Sequence, residues 1–264
     1  MNSGEGPPPL LWPKDYTAPS VFQPVNLLRE SRRQRSLPDV SVPVVALLDP
    51  DGDVVRYLSA SGAGRRHPGW ACYHTEMWTV DVDGVEIGVV GLAVGAPFAV
   101  LVAEQLFASG AEILVSVTSA GQVAPLGSLP RLVLIVRAVR DEGTSLHYLP
   151  PSTWSDLDLT VSNKLAGSFD GMAEPVTVGS SWTTDAPYRE TAAAIEAARA
   201  LGVVCVEMEA AALYAYATAA ERTVVCFAHV TNSMATDGED FEKGVDDGVQ
   251  LTLAAVRAVV AALA

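Results

Sequence analysis

The stretch Val203–Tyr216 changes its hydrophobic period in the middle, and this change constrains the fold more than any other feature of the chain. An apolar β-branched run, Val203–Val206, is followed from Met208 by Ala, Leu and Tyr at helical spacing. The pattern predicts a buried strand that leads directly into a helix. Glu207 and Glu209 stand at the junction, at the carboxyl edge of the predicted sheet, where open α/β sheets place their ligands. The same position also suits two acids that only face the positive end of a helix dipole.

The rest of the chain alternates strand and helix patterns around this junction. Its 264 residues are 49% hydrophobic and 18% charged, which is enough apolar sequence for one large core. We therefore predict a single-domain, three-layer α/β/α fold around a central mixed, mostly parallel sheet. The body spans 41–264, and a Pro-rich N-terminal arm spans 1–40 and includes a short predicted helix at Val25–Arg35. The arm carries apolar side chains that predict packing on the body or on a neighbouring subunit; these are Leu10, Leu11, Trp12 and Phe22.

Several local signals place further elements. Asp83 and Gly84 between two apolar runs predict a β-hairpin, and Gly95–Gly110, with Pro97 near its start, predicts a helix. Residues 140–180 are broken by Pro and Gly and predict a loop with short pieces of structure. Phe241–Leu263 predicts a long closing helix.

Charge and cysteine content exclude several classes of function. The net charge is −14 and no basic run is longer than the one at 32–35, so we expect no nucleic-acid partner. The three cysteines are odd in number, and two lie in apolar runs, which predicts buried thiols in a reducing compartment. No apolar run has the length of a membrane helix and no signal peptide opens the chain, so we expect a cytoplasmic protein with no membrane partner.

Polar or small residues follow four of the predicted strands, at 51–53, 118–121, 207–209 and 231–232. If the strands are mostly parallel, these segments meet at one edge of the sheet. The histidines are scattered, so no metal site is predicted, and no Gly-x-Ser-x-Gly turn suggests a serine nucleophile. His229, on an apolar strand, is interpreted as a core histidine.

Three blocks of sequence resemble the nucleoside phosphorylase superfamily, which includes purine nucleoside phosphorylases, uridine phosphorylases and nucleosidases. The segment 206–214, ValGluMetGluAlaAlaAlaLeuTyr, resembles the family signature, and 95–106 with SerAlaGly at 119–121 resembles its second block. Trp182–Thr191 resembles the loop on the base side of the site. Gly52, Asp53 and Arg56 match the spacing of the phosphate loop, although Val54 replaces its proline.

The resemblance implies a role for each matching residue. Glu209 would bind the ribose hydroxyls, with Met208 packed under the sugar and Glu207 as a second acid, because a carboxylate stabilises an oxocarbenium-like sugar. Asn232 would hydrogen-bond the leaving base as a catalytic partner of Glu209, which favours a 6-oxopurine or uridine-type nucleoside over adenosine. Stacking on the base is assigned to Tyr188 or Trp182, and phosphate binding to Gly52, Arg56 and Ser119.

The attacking group stays open at the level of sequence. The family's other phosphate-binding arginine positions fall on Ser116 and near Tyr73 and His74. Phosphorolysis therefore competes with hydrolysis, for which Asp51 or Asp53 is the candidate base. A third alternative is a nucleoside-binding protein without turnover. The resemblance implies no cofactor beyond phosphate as co-substrate, and a homodimer or homohexamer whose neighbouring subunits share sites.

Overall fold

The computed structural model describes residues 9–233 and 241–263, and within them ten strands form one sheet with seven α-helices packed around it. The strands are β1 (Val45–Asp49), β2 (Arg65–Arg66), β3 (Met77–Val82), β4 (Val85–Gly91), β5 (Ile113–Gln122), β6 (Arg131–Asp141), β7 (Trp154–Asp156), β8 (Val176–Thr184), β9 (Val203–Glu207) and β10 (Thr223–Asn232). The helices are α1 (Pro24–Arg35), α2 (Asp53–Ser61), α3 (Ala96–Ala108), α4 (Leu159–Leu165), α5 (Ala192–Ala200), α6 (Ala210–Ala220) and α7 (Val249–Leu263). The predicted α/β class is confirmed.

Parallel pairing forms the centre of the sheet. Strands β4, β1, β5 and β10 are neighbours in that order and run parallel. The sheet then continues through β6, β8 and β9, and β9 pairs back to β5, so this part closes on itself. Antiparallel pairs occur where the sheet closes and at its β2–β3–β4 and β6–β7 ends. The sheet is therefore mixed, as predicted.

The helices pack in two groups, and the core lies between them and the sheet. Helix α3 contacts α1 and α6, whereas α7 contacts α2 and α4. The main core combines apolar side chains of the strands and of both groups, and a smaller cluster around Val123, Trp182 and Val206 lies near α5. The three cysteines are buried and free, as expected.

The strongest local signals of the sequence are confirmed. Asp83 and Gly84 have φ angles of 53° and 85°, the left-handed pair that a two-residue hairpin turn requires. Helix α3 has Pro97 in its first turn and ends before Gly110, whose φ is 114°. The strand-to-helix junction is also confirmed, since β9 ends at Glu207 and α6 begins at Ala210.

Three boundaries differ from the prediction. Residues 118–121 do not form a turn, because β5 continues to Gln122 through pairing with β10 as far as Gly121 and with β9 at Gly121 and Gln122. The segment 140–180 contains β7, α4 and the start of β8. The closing helix begins at Val249, not at Phe241, since Gly244 and Gly248 have positive φ and interrupt the helical pattern. Gly248 also lies so close to the buried His229 that an added Cβ would be 2.3 Å from its Cε1 atom.

The arm contacts the body through α1. Leu28 of this helix is fully buried, the Ser31 hydroxyl donates a hydrogen bond to the Ala71 carbonyl, and Arg35 donates one of 2.9 Å to the Cys72 carbonyl. The predicted arm helix is therefore confirmed and packs on the body, whereas Leu10 and Leu11, on which the predicted packing of the arm rests, are 39% and 44% exposed. Trp12 and Phe22 remain exposed on this chain, and residues 1–8 of the arm lie outside the described residues.

Candidate active site

The four polar strand ends lie together at one edge of the sheet. Strands β1, β5 and β10 are parallel neighbours: β1 ends beside the middle of β5, and Asn232 pairs with Gly121 after a register shift that follows Val230. Strand β9 reaches the same place by pairing Val206 with Gly121. Side chains from three of the ends are hydrogen-bonded across the edge, as described next. The edge therefore has the geometry that the sequence predicts for a site.

Glu207 is held by four hydrogen-bond donors. Its Oε1 accepts from the Ser181 and Thr183 hydroxyls, and its Oε2 accepts from the backbone N–H groups of Glu209 and Ala210 at 2.7 Å each. The last two donors lie at the start of α6, so Glu207 caps this helix. This is the purely structural role that the sequence also allows for the two acids. Because all four partners belong to the protein and Glu207 is only 3% exposed, its side chain stabilises the fold.

Glu209 lies two residues further on and has a different environment. Its Oε1 accepts from the Gly95 N–H at 2.6 Å, its Oε2 is 3.3 Å from the Met208 nitrogen, and the Thr118 hydroxyl also hydrogen-bonds to the side chain. Although Glu209 occupies the N-cap position of α6, its side chain does not cap the helix. This acid is therefore positioned across the strand ends, by the N-terminus of α3 and by β5.

Both acids are difficult to ionise. Burial, and then the charge of Glu207, raise the pKa of Glu209 to about 8. Burial also raises the pKa of Glu207, although its four hydrogen bonds act in the opposite direction. A carboxyl group with a strongly raised pKa, placed at a ligand-binding edge, is typical of functional sites. We call Gly95, Thr118, Glu207, Met208 and Glu209 the carboxylate half of the site.

The second part of the edge is the turn between β1 and α2. Gly52 caps α2 with a φ of 78°, and Arg56 donates hydrogen bonds to the Asp53 carboxylate and, at 2.9 Å, to the Asp51 carbonyl. Lys243 Nζ lies 2.6 Å from the other Asp53 oxygen. Asp53 thus bridges two cations. We call Asp51, Gly52, Asp53, Arg56, Ser119 and Lys243 the anion half of the site.

Asp51 joins the two halves. Its Oδ2 accepts from the Ser119 N–H at 2.7 Å and is 3.5 Å from the Thr118 hydroxyl oxygen, and Thr118 in turn contacts Glu209. Asp51 is also among the charges that raise the pKa of Glu209. The Asp51 carboxylate therefore binds the Ser119 N–H at a position between the two cations and the buried Glu209.

The candidate base-binding residues are not all in one place. Asn232 lies at the end of β10 with 8% exposure, and its amide nitrogen is 3.2 Å from the Thr231 hydroxyl oxygen. Tyr188, in a short 3-10 helix at Pro187–Arg189, is 99% exposed. The prediction that Trp182 stacks on the base is wrong. This residue is 5% exposed, belongs to the small cluster near α5, and donates its indole N–H to Asp141. Its indole is therefore occupied by the core and does not stack on a base.

Two members of the edge were not predicted from the sequence. Lys243 lies in the segment that the sequence assigns to the closing helix, and nothing in the sequence pairs it with Asp53. The Gly95 N–H was predicted only as part of a helix start, and nothing in the sequence pairs it with Glu209. Both contacts join residues more than a hundred positions apart.

The described residues were also searched for metal sites and membrane spans. No cluster of three or more His, Cys, Asp or Glu side chains with metal-binding geometry occurs in them. None of the helices in the described ranges is long and apolar enough to cross a membrane.

Comparison with known proteins identifies relatives of this chain. A family model for the phosphorylase superfamily matches residues 45–263. A uridine phosphorylase of Thermococcus kodakarensis is 30% identical over 148 residues, covering 52% of this chain and 53% of that protein. A guanosine phosphorylase of Halorubrum lacusprofundi is 25% identical over 135 residues, covering 51% and 56%. The chain thus spans about half the length of these curated relatives in each match.

The fold is shared with a solved structure. A purine nucleoside phosphorylase from Toxoplasma gondii, solved in complex with immucillin-H, superposes with a TM-score of 0.71 at 16% identity, covering 86% of this chain and 93% of that one. At this identity the likeness concerns the fold alone.

Proposed function

The chain belongs to the phosphorylase superfamily, and from this premise we propose that it is a nucleoside phosphorylase, a pentosyltransferase that cleaves an N-glycosidic bond with inorganic phosphate. The observation that carries the proposal is the Glu209 carboxyl group, 1% exposed and held between the Gly95 N–H and Thr118 at the ends of the strands. The relatives named as uridine and guanosine phosphorylases support the same reaction class.

The proposed reaction gives Glu209 a defined task. A phosphate oxygen forms a bond to C1′ of the sugar while the bond from C1′ to the base nitrogen breaks, and the base leaves with the electron pair. Positive charge develops on the sugar, and a carboxylate that accepts hydrogen bonds from the ribose hydroxyls stabilises that charge. The proton of the phosphate finally resides on the base, so the products are a free base and a pentose 1-phosphate.

Phosphate binding is proposed for the anion half. The Ser119 N–H and the Arg56 side chain provide donors beside the Gly52 turn, and we add Lys243 because its Nζ is held beside Arg56 by Asp53. A phosphate dianion needs several charge-assisted hydrogen bonds. Lys243 supplies a second cation that compensates for the serine at position 116.

Base recognition is proposed for Asn232, with Tyr188 as a stacking residue. An amide donates to and accepts from a 6-oxopurine or a uracil-type base but does not supply a proton at ordinary pH. The side chain is 8% exposed at the end of β10, on the same edge as Glu209. We therefore propose 6-oxopurine or uridine-type nucleosides as substrates.

Hydrolysis is the second candidate, and the position of Asp51 favours it. Its carboxylate lies 2.7 Å from the Ser119 nitrogen, on the edge where the attacking group must be held. A carboxylate there can take a proton from water as the water attacks the sugar. In that reaction the products are a free base and a free pentose.

The two candidates are separated by product analysis. Inosine, guanosine, uridine and adenosine are each incubated with the protein, with and without excess phosphate. We expect pentose 1-phosphate, formed only when phosphate is present. Free pentose released equally in both conditions would assign the protein as a hydrolase, and tight nucleoside binding without product would assign it as a binding protein.

The proposal extends to the cellular role, the co-substrate and the oligomeric state. We propose nucleoside salvage in the cytoplasm, with phosphate as co-substrate and no other cofactor. A homodimer or homohexamer is proposed because apolar arm residues such as Phe22, 71% exposed, are available to a second copy.

A further inference from the structure

The Asp51 carboxylate occupies a donor that an incoming oxyanion would use. The Ser119 N–H points at Oδ2 from 2.7 Å, which is the length of a charge-assisted hydrogen bond. Asp51 immediately precedes Gly52, the N-cap of α2, and its side chain reaches from the β1 turn to β5. The contact crosses the anion half.

One backbone N–H does not serve two anions at once. A carboxylate oxygen and a phosphate oxygen are acceptors of the same kind, so any oxyanion placed on the Ser119 nitrogen must displace Asp51. If Asp51 stayed, the two anions would repel each other at close range. The neighbouring cations do not remove this conflict, because Arg56 and Lys243 both contact Asp53 and not Asp51's carboxylate.

The Asp51 side chain can rotate toward solvent when an oxyanion displaces it. Asp51 is half-buried, and Ser119 and Thr118 are the only hydrogen-bond partners of its carboxylate among the described residues. Rotation of the side chain toward solvent breaks one strong and one weak hydrogen bond. It also removes a negative charge that faces Glu209 through Thr118.

We propose that Asp51 is an internal competitor of phosphate: its carboxylate binds the Ser119 N–H in the free protein and must leave before the co-substrate binds. This inference rests on the proposed phosphorylase function and names the residue that sets the affinity for phosphate. Asp51 is thus a specificity-determining residue, because it weakens the binding of the anion without contacting the nucleoside.

The test measures binding of inorganic phosphate to the full chain by isothermal titration calorimetry. The variant Asp51→Asn keeps the size of the side chain and removes the charge, and Asp51→Ala removes the acceptor. Asp156→Asn is the matched control, since it makes the same substitution at an exposed aspartate of β7 that pairs with Arg137 of β6. Thermal unfolding of each variant establishes that it is folded.

We expect the Kd for phosphate to fall by about tenfold in Asp51→Asn and at least as much in Asp51→Ala, because a charge-assisted hydrogen bond no longer has to be broken. Asp156→Asn should match the wild type. The KM for phosphate in nucleoside cleavage should fall in parallel.

The outcomes distinguish this inference from the proposed function. Formation of pentose 1-phosphate by the wild type, combined with an unchanged or raised Kd in both Asp51 variants, would overturn the competition and leave the function intact. Release of free pentose without phosphate, abolished in Asp51→Asn, would overturn both, and Asp51 would then be the base that activates water.

Discussion

The two halves of the site are built in opposite ways. In the carboxylate half, backbone N–H groups and hydroxyls point at the acids, and Glu207 is fixed by four donors. In the anion half, the cations contact acids of the same chain, with Asp53 between Arg56 and Lys243 and Asp51 on Ser119. The first half is arranged before any ligand arrives, whereas under our proposal the second must exchange its contacts to accept phosphate.

In the proposed reaction, this difference separates what the two halves contribute to the rate and to the binding of phosphate. Fixed donors need no reorganisation in the transition state, which is the condition for a large electrostatic effect on rate. Contacts that are exchanged on binding cost affinity for the ligand that displaces them. Substitutions in the carboxylate half should therefore affect turnover most, and substitutions in the anion half should affect the affinity for phosphate.

The largest effect is expected for Glu209→Ala. Loss of the carboxylate should lower kcat/KM for nucleoside cleavage by a factor on the order of 10² or more, because the developing charge on the sugar loses its partner. Steady-state kinetics with the best substrate from the product analysis checks this. Glu209→Gln serves as a second variant, since it keeps an acceptor for the Gly95 N–H.

The control for this prediction is Glu196→Ala, an exposed acid on α5 that contacts Arg199. It should retain wild-type kinetics. Equal rates for the wild type and both Glu209 variants would remove this residue from the site, and the contrast between the halves would fail.

A smaller effect is expected for Arg56→Ala. The KM for phosphate should rise by about tenfold while kcat changes little, because Arg56 is 57% exposed and already shares its donors with Asp53 and the Asp51 carbonyl. Varying phosphate at saturating nucleoside measures it. Arg65→Ala, an exposed partner of Glu86, is the control. A fall in kcat as large as that of Glu209→Ala would show that both halves act on turnover.

The carboxylate half could be located from the sequence because its signal is local. The change of period at Val203–Tyr216 places Glu207 and Glu209 at a strand end, and the structure has the strand and helix there. The pattern could not separate the roles of the two acids, since this depends on Ser181, Thr183 and Gly95, which come from other elements.

The anion half could be predicted only in part. Gly52 and Arg56 follow a recognisable spacing, but Lys243 reaches Asp53 from 190 residues away. Trp182 was misplaced for a related reason: side chains of β8 alternate between the two faces of the sheet, and sequence alone does not say which face holds the site. Thr183 faces Glu207, so its neighbour Trp182 faces the cluster near α5.

The last prediction concerns stability and not kinetics: within the two halves of the site, the carboxylate half should make the stability depend on pH. Burial raises the pKa of Glu209 from its ordinary 4.5 to about 8, so between these values the folded chain holds a proton that the unfolded chain has released. The free energy of unfolding therefore falls as pH rises through this window, by at most about 1.4 kcal/mol per pH unit for this group. Burial also raises the pKa of Asp49, to about 7, and this group adds a similar slope in the wild type and in a Glu209 variant.

The comparison that isolates Glu209 is wild type against Glu209→Gln, whose amide does not titrate. Denaturant unfolding from pH 5 to pH 9 should give a difference in stability that grows in favour of Glu209→Gln up to about pH 8 and is constant above it. The general repulsion that follows from a net charge of −14 is nearly the same in both proteins and cancels. Parallel pH profiles would mean that Glu209 is already ionised in the free protein. The carboxylate half would then receive the ribose as a preformed anion, without first losing a proton.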